Sequence, residues 1–165
     1  MSSDLPPDDP NVTRELRRNP IRTVAVIVLV DRDGRVLLTQ TKRLPNQWQP
    51  IGGGVQSTDR SIEAAALREA REEFGLELHE DQLRKVFQAG YDFGDGTVHF
   101  FVSPLPRDSS LCADPSEIAA LRWVSLQEAL NLPMFPATAK CLDYIREHQD
   151  ILDAAAKEAR RDERS

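Results

Sequence analysis

The chain has 165 residues, 40% of them hydrophobic and 29% charged, which is the composition of an ordinary globular domain. Its formal net charge of −6 argues against a broad surface for nucleic acid or for an anionic membrane. An anionic substrate must therefore be attracted by a few local charges. Cys112 and Cys141 form no CxxC motif, which fits a reducing compartment better than a disulfide framework.

Targeting signals are not apparent in the sequence. It contains no apolar run long enough to cross a membrane, and its N-terminus lacks the basic-then-apolar order of a signal peptide. We therefore expect a cytoplasmic protein that does not insert into membranes. Whether it is a monomer or a homodimer stays open.

The first half of the chain predicts a disordered segment followed by a β-hairpin. Residues 1–20 are rich in Pro, Asp, Ser and Arg and offer little to bury, apart from a short predicted helix at Thr13–Arg18. Ile21–Val30 reads IRTVAVIVLV, which predicts a strand buried on both faces. A turn at Asp31–Gly34 then leads into the partner strand, Arg35–Thr41.

Trp48 is a large aromatic residue in a polar setting just after this hairpin. It is either a packing residue or a stacking platform for a nucleobase, because a base presents a flat π face. Lys42 and Arg43, at the end of the second strand, are basic residues close to it in sequence. Both readings of Trp48 stay open.

An acidic helix follows a run of glycines in the stretch Gly52–Leu76, GGGVQSTDRSIEAAALREAREEFGL. We predict a glycine turn, a short loop and then a helix over Ser61–Phe74. Glu69, Glu72 and Glu73 fall at i, i+3 and i+4, so they share one helical face. Like charges at this spacing repel by about 0.2–0.5 kcal/mol per exposed pair. A hard cation such as magnesium or manganese would offset the repulsion.

The opposite face of that helix is apolar, which suits packing against a sheet, and Gly75 is a plausible C-cap. The residues of this apolar face are Ala66, Leu67, Ala70 and Phe74. The alternative to a metal site is a solvated acidic face on which Arg68 and Arg71 form ordinary surface pairs.

The second half of the chain predicts three further strands and two helices. The strands are Leu83–Tyr91, Thr97–Leu105 and Ser116–Val124, with a turn at Asp92–Gly96 between the first two. Ser125 and Glu128 form a capping-box pattern at the start of a short helix. A helix over Ala137–Gln149 follows, and residues 150–165 are expected to form a charged, fraying helical tail. Met134 and Phe135 either line a base pocket or pack in the core.

The acidic helix resembles the Nudix box of the MutT-like hydrolases. That motif has a glycine, five residues, a glutamate, seven residues and then R-E-apolar-x-E-E-x-G-apolar. The second half is matched without a gap by Arg68, Glu69, Ala70, Glu72, Glu73, Gly75 and Leu76. The first half departs, because Asp59 or Arg60 stands where the family has glutamate.

The resemblance implies the α/β/α Nudix sandwich with a mixed β-sheet, over residues 21–149. It also implies a metal-dependent enzyme in which the three box glutamates and a carbonyl of Gly53 or Gly54 hold magnesium or manganese. Glu117 is expected as a further ligand or base, and Arg43 with Lys42 as contacts for the substrate phosphates. Sequence alone does not choose the base.

The missing glutamate raises the question of what balances the motif arginine. We expect Asp59 or Glu63 to pair with Arg68, with Arg60 turned outward, because an unpaired buried charge is costly.

The activity implied is hydrolysis of a phosphoanhydride bond in a nucleoside diphosphate linked to another group. Our leading substrate is a nucleoside triphosphate, with modified purines included, which would give the monophosphate and pyrophosphate. Trp48 and Phe135 would contact the base. The alternatives are a pyrophosphatase for ADP-ribose, nucleotide sugars or dinucleotide polyphosphates, and a binding or regulatory module that has lost turnover.

Overall fold

A mixed six-stranded sheet forms the centre of the protein, and helices cover both of its faces. The structure, a computed structural model, describes residues 21–107 and 109–162. The strands are β1 (Ile21–Val30), β2 (Val36–Thr41), β3 (Ile51–Gly54), β4 (Arg84–Gly90), β5 (Asp95–Pro104) and β6 (Ile118–Val124). The helices are α1 (Ile62–Phe74), α2 (Leu126–Ala129), α3 (Pro136–Glu147) and α4 (Gln149–Asp162), with a 3₁₀ turn at Glu80–Gln82. The predicted disordered segment and its short helix lie outside the described residues.

β1 is the central strand, in the order β4-β5-β1-β2-β6. It pairs with β5 in parallel along its whole length, and it pairs antiparallel with β2 at one end and with β3 over Val24–Ile27. Its side chains alternate between two apolar cores: Ala25, Ile27 and Leu29 enter one, and their neighbours enter the other. The predicted strand buried on both faces is therefore confirmed.

The two cores make the molecule an α/β/α sandwich, as predicted. On one face α1 contributes Ala66, Ala70 and Phe74, all fully buried. The second core lies on the other face, where α3 contributes Cys141, Leu142 and Ile145, together with residues of α4. The capping box of Ser125 and Glu128 at the start of α2 is also confirmed.

α4 corrects the expectation of a fraying tail. The predicted helix is present, but four apolar side chains of α4 are buried in the second core, namely Ile151, Leu152, Ala155 and Ala156, and Ala159 is buried as well. They recur at helical spacing and so form one stripe, while the charged residues occupy the solvent side. The prediction was wrong because the many charged residues of this segment suggested a solvated helix. The domain boundaries drawn at residues 20 and 149 stay a prediction.

The glycines after residue 51 also differ from the prediction, because they form β3 rather than a turn. The reason is a close approach of two backbones. A Cβ atom on Gly52 would lie 2.5 Å from the carbonyl oxygen of Ala25 and 3.0 Å from the Cα of Val26. Glycine is therefore the residue that lets β3 pair closely with β1.

The ends of α1 follow the sequence pattern. The Ser61 side chain accepts a hydrogen bond from the N–H of Ala64, and Gly75 ends the helix in the left-handed conformation with φ of 64°. The predicted C-cap is thus confirmed. None of the helices within residues 21–107 and 109–162 has the length and apolar character needed to span a membrane.

We expect Gly52→Ala to lower the free energy of unfolding by about 2 kcal/mol or more, because the new methyl group meets backbone atoms that cannot rotate away. Urea unfolding at 25 °C measures this change. Gly90→Ala in β4 is the matched control, since a Cβ there meets nothing within 4 Å. The control should be neutral or stabilising by up to about 1 kcal/mol. Equal destabilisation by the two variants would contradict the assigned role of Gly52.

Candidate active site

A cavity of about 100 Å³ opens beside the crossing of α1 and β3. Its lining includes four charged side chains, namely Arg22, Arg43, Glu73 and Glu117, and a set of apolar and aromatic side chains, namely Val24, Val26, Leu44, Tyr91 and Phe93. A more open cavity of about 520 Å³ adjoins it and is lined by Glu69 and, again, Arg22. Apolar and aromatic side chains with a few charged groups thus meet at one place, which is the usual composition of a ligand pocket.

Glu73 is the most perturbed carboxylate of the site. Burial, with the carboxylates of Glu69 and Glu117, raises the pKa of Glu73 to about 8, although a hydrogen bond from the Gly52 N–H and the charge of Arg43 act in the opposite direction. Glu69 and Glu117 thus lie close enough to Glu73 for their charges to act on it. Such crowding of negative charge in a cleft is a mark of functional sites.

Glu69 lies directly against β3. A Cβ atom on Gly53 would overlap the Glu69 carboxylate, so any larger residue there would displace this acid from its position. Burial raises the pKa of Glu69, and the neighbouring guanidinium of Arg68 partly opposes this effect. Gly53 thus leaves room for Glu69, and the Gly52 N–H binds Glu73, so both acids of α1 lie against the sheet.

Arg68 holds the loop before α1, the helix and β3 together. Its Nε and Nη2 donate to the two carboxylate oxygens of Asp59 at 2.9 and 3.0 Å, and Nη2 also donates to the carbonyl of Gly54 at 3.0 Å. Its Nη1 donates to Glu69 at 3.1 Å and to Glu72 at 3.2 Å. These partners raise the pKa of Arg68, with Asp59 the largest contributor.

Asp59 therefore supplies the acidic partner that the sequence left undecided. Its side chain is 6% exposed, and the hydrogen bonds from Arg68 lower the pKa of its carboxyl group. Glu63 is not a partner of Arg68, and Arg60 is exposed. The expectation that Arg60 turns outward is confirmed. Of the two acids considered, Asp59 is the one that pairs with Arg68.

Glu72 stands apart from the other box acids. Its side chain is 53% exposed and is bonded to Arg68, whereas Glu69 and Glu73 face β3. Across residues 21–107 and 109–162, no three His, Cys, Asp or Glu side chains already stand together as a metal-holding group. The shell of Glu69, Glu72, Glu73 and Gly53 stays a prediction. Its donors still fit a hard cation, because all are oxygens and the inner acids repel one another.

The two basic candidates have different surroundings. Arg43 lines the cavity and is close enough to affect the pKa of Glu73. Lys42 is exposed, its N–H donates to the carbonyl of Glu117, and the charge of its side chain acts on Asp114. The sequence did not single out Arg22, a lone cation in an apolar strand.

Neither of the aromatic candidates, Trp48 and Phe135, lines the cavity. Trp48 is half-buried against the second core, and the guanidinium of Arg122 lies 5.6 Å from its ring centroid. Phe135 is buried and packs edge-on against Phe93, with ring centroids 4.8 Å apart. Tyr91 and Phe93 line the cavity instead. The sequence analysis did not predict a role for Phe93. Its position two residues after Tyr91, between β4 and β5, could have indicated that the two rings share one wall.

Comparison with known proteins agrees with this architecture. A NUDIX domain model matches residues 20–145. The uncharacterized Nudix hydrolase YvcI of Bacillus subtilis is 29% identical over 127 residues, which cover 75% of this chain and 79% of that protein. The CTP pyrophosphohydrolase of Escherichia coli is 31% identical over 121 residues, which cover 72% of this chain and 87% of that protein. The solution structure of the E. coli ORF135 protein has a TM-score of 0.60 and 29% identity, and the match covers 78% of this chain and 92% of that one.

The chain therefore belongs to the NUDIX domain family, as its acidic helix indicated. It is an enzyme of the Nudix pyrophosphohydrolase type, a class that acts on nucleoside diphosphate derivatives with divalent metal ions.

We expect Asp59→Ala to lower the free energy of unfolding by about 1.5–3 kcal/mol, because it removes a two-point charged hydrogen bond from a largely buried arginine. Urea unfolding measures the loss. Arg60→Ala and Glu63→Ala are the controls and should each stay within about 0.5 kcal/mol of the parent protein. A large loss for Arg60→Ala with Asp59→Ala neutral would reverse the assignment.

Proposed function

We propose that this protein hydrolyses a nucleoside triphosphate to the monophosphate and pyrophosphate, using magnesium or manganese. The observation that carries the proposal is that Glu73 and Glu117 line a cavity together with Arg43 and an aromatic wall, with Glu69 near enough to act on Glu73. The name of the E. coli relative, CTP pyrophosphohydrolase, supports a triphosphate substrate.

The metal would be held by Glu69, Glu72 and Glu73, together with a carbonyl of Gly53. When bound, it neutralises charge on the phosphoryl oxygens and lowers the pKa of a water molecule. Arg68 then acts as a positioning residue, because it fixes the rotamers of Glu69 and Glu72 and is itself fixed by Asp59. The Gly52 N–H orients Glu73 in the same way.

We assign Glu117 as the acceptor of the water proton. It lines the cavity next to Glu73, and its carboxylate accepts no hydrogen bond from the described part of the chain. Its oxygens are thus available for a proton, whereas those of Glu69 and Glu72 are bonded to Arg68.

The substrate phosphates are assigned to Arg43 and Arg22, whose side chains line the cavity beside the acids. The base is assigned to the apolar wall formed by Tyr91, Phe93 and Leu44, since stacking on an aromatic ring contributes roughly 1–3 kcal/mol per base. None of the other predicted substrate contacts, which are Lys42, Trp48 and Phe135, lines the cavity. We therefore propose that the residues lining the cavity bind the phosphates and the base instead.

Asp59 bears on the alternative of an inactive module. A module without turnover was considered because the motif lacks its usual glutamate, which would leave Arg68 without an acidic partner. Asp59 supplies that partner instead. An active enzyme is therefore the reading that the geometry supports best. ADP-ribose, nucleotide sugars and dinucleotide polyphosphates are the competing substrates.

We expect Glu73→Gln to lower turnover by at least about a hundredfold under limiting magnesium, because it removes a formal charge from the metal-holding set. Chelation with EDTA should abolish activity, and added magnesium or manganese should restore it. Glu77→Gln, an exposed acid just beyond α1, is the matched control and should leave turnover unchanged. Near-normal turnover of a folded Glu73→Gln protein would contradict the assignment of Glu73 as a residue that holds the metal.

The substrate class is tested by competition kinetics with a triphosphate, ADP-ribose and a dinucleotide polyphosphate. We expect the triphosphate to be cleaved fastest, with Phe93→Leu raising its KM about tenfold through lost stacking. Trp48→Leu should leave KM within twofold, since Arg122 and core residues surround that ring. Faster cleavage of ADP-ribose, or a KM that depends on Trp48 and not on Phe93, would contradict the assignment.

A further inference from the structure

We propose that Asp92 is a positioning residue that ties the β4–β5 turn to the first turn of α3 and so fixes the wall of the substrate cavity. The inference rests on the proposed function, since it concerns how the same cavity holds a nucleotide. Asp92 does not itself line the cavity, so it acts through its neighbours.

A single hydrogen bond joins the two elements. Oδ1 of Asp92 accepts the backbone N–H of Ala137 at 3.2 Å, across 45 residues of chain. α3 begins at Pro136, and its N-cap residue is Phe135, which has no polar side chain to offer. The first N–H groups of a helix lack partners within the helix. Asp92 therefore supplies from another element the cap that α3 lacks locally.

The cavity residues lie on both sides of this link. Tyr91 and Phe93, the chain neighbours of Asp92, line the cavity, and so does Thr138, the chain neighbour of Ala137. A second, apolar contact runs parallel to the hydrogen bond, because the rings of Phe93 and Phe135 pack with their centroids 4.8 Å apart. The turn and the helix end are thus joined at two adjacent points.

The two contacts have different physical roles. Ring packing tolerates sliding and rotation, whereas a hydrogen bond to a helix N–H fixes both distance and direction. Asp92 is only half-buried, and burial raises its pKa to about 6 while the Ala137 N–H and Lys140 oppose the rise. The carboxylate is therefore charged at neutral pH, where a helix N-terminus binds it best.

The test compares Asp92→Ala with Asp92→Asn, which keeps an oxygen acceptor in place. We expect Asp92→Ala to raise the KM for a nucleoside triphosphate three- to tenfold with kcat within twofold, because the chemical groups are untouched. Asp92→Asn should restore KM to within twofold. Inorganic tripolyphosphate, which has no base, should inhibit all these proteins equally. Asp95→Ala, an exposed acid in the same hairpin, is the matched control and should change nothing.

Three results would overturn the inference: an unchanged KM in Asp92→Ala, an Asn variant as impaired as the Ala variant, or equal weakening of tripolyphosphate inhibition. If Asp92→Ala does not fold, Asp92→Glu takes its place in the comparison with Asp92→Asn. The longer side chain keeps the charge but moves the acceptor oxygen away from the Ala137 N–H, so KM should rise as expected for the Ala variant. If the parent protein cleaves no nucleotide, the proposed function fails separately. Hydrogen exchange at the Ala137 amide then decides: protection lost in the Ala variant and kept in the Asn variant supports the link, and equal protection overturns it.

Discussion

The close contact between α1 and β3 is the constraint on which the site depends. Gly53 has no side chain to occupy the place of the Glu69 carboxylate, and Glu73 accepts a hydrogen bond from the Gly52 N–H, so both acids lie against β3. The same approach gathers negative charge in a half-buried place, which is unfavourable for the protein alone. Positive charge stabilises such a site, whether it comes from an arginine side chain or from a metal ion.

Arg68 shows how the chain keeps this arrangement without the usual glutamate of the motif. Aspartate is shorter by one methylene group, yet it stands in the loop that precedes α1 and accepts two hydrogen bonds from the guanidinium. The planar fork of arginine matches a carboxylate with two bonds at once. Geometry at the arginine, rather than the identity of the acid, is what the fold requires.

Much of this architecture could be read from local pattern. The β-branched run of β1, the glutamates of α1 and the cap at Gly75 each follow from spacing, and the structure has them where the sequence predicts. β3 could not be predicted, because glycine is a poor strand former and only its approach to β1 makes it fit. The choice of Phe93 over Trp48 for the cavity wall depends on contacts between distant segments. So does the burial of α4, whose apolar stripe is visible only once a sheet lies beneath it.

The parallel pairing of β1 with β5 has a consequence for how the chain comes to be folded. β1 precedes β5 in the chain, so one of its two edges stays open until β5 follows, some seventy residues later in register. Until then an apolar, β-branched strand presents unpaired N–H and C=O groups, the arrangement that other chains join most readily. Contacts of such long sequence separation also form slowly. The central strand of the finished sheet is thus open to wrong pairing while the chain is being made.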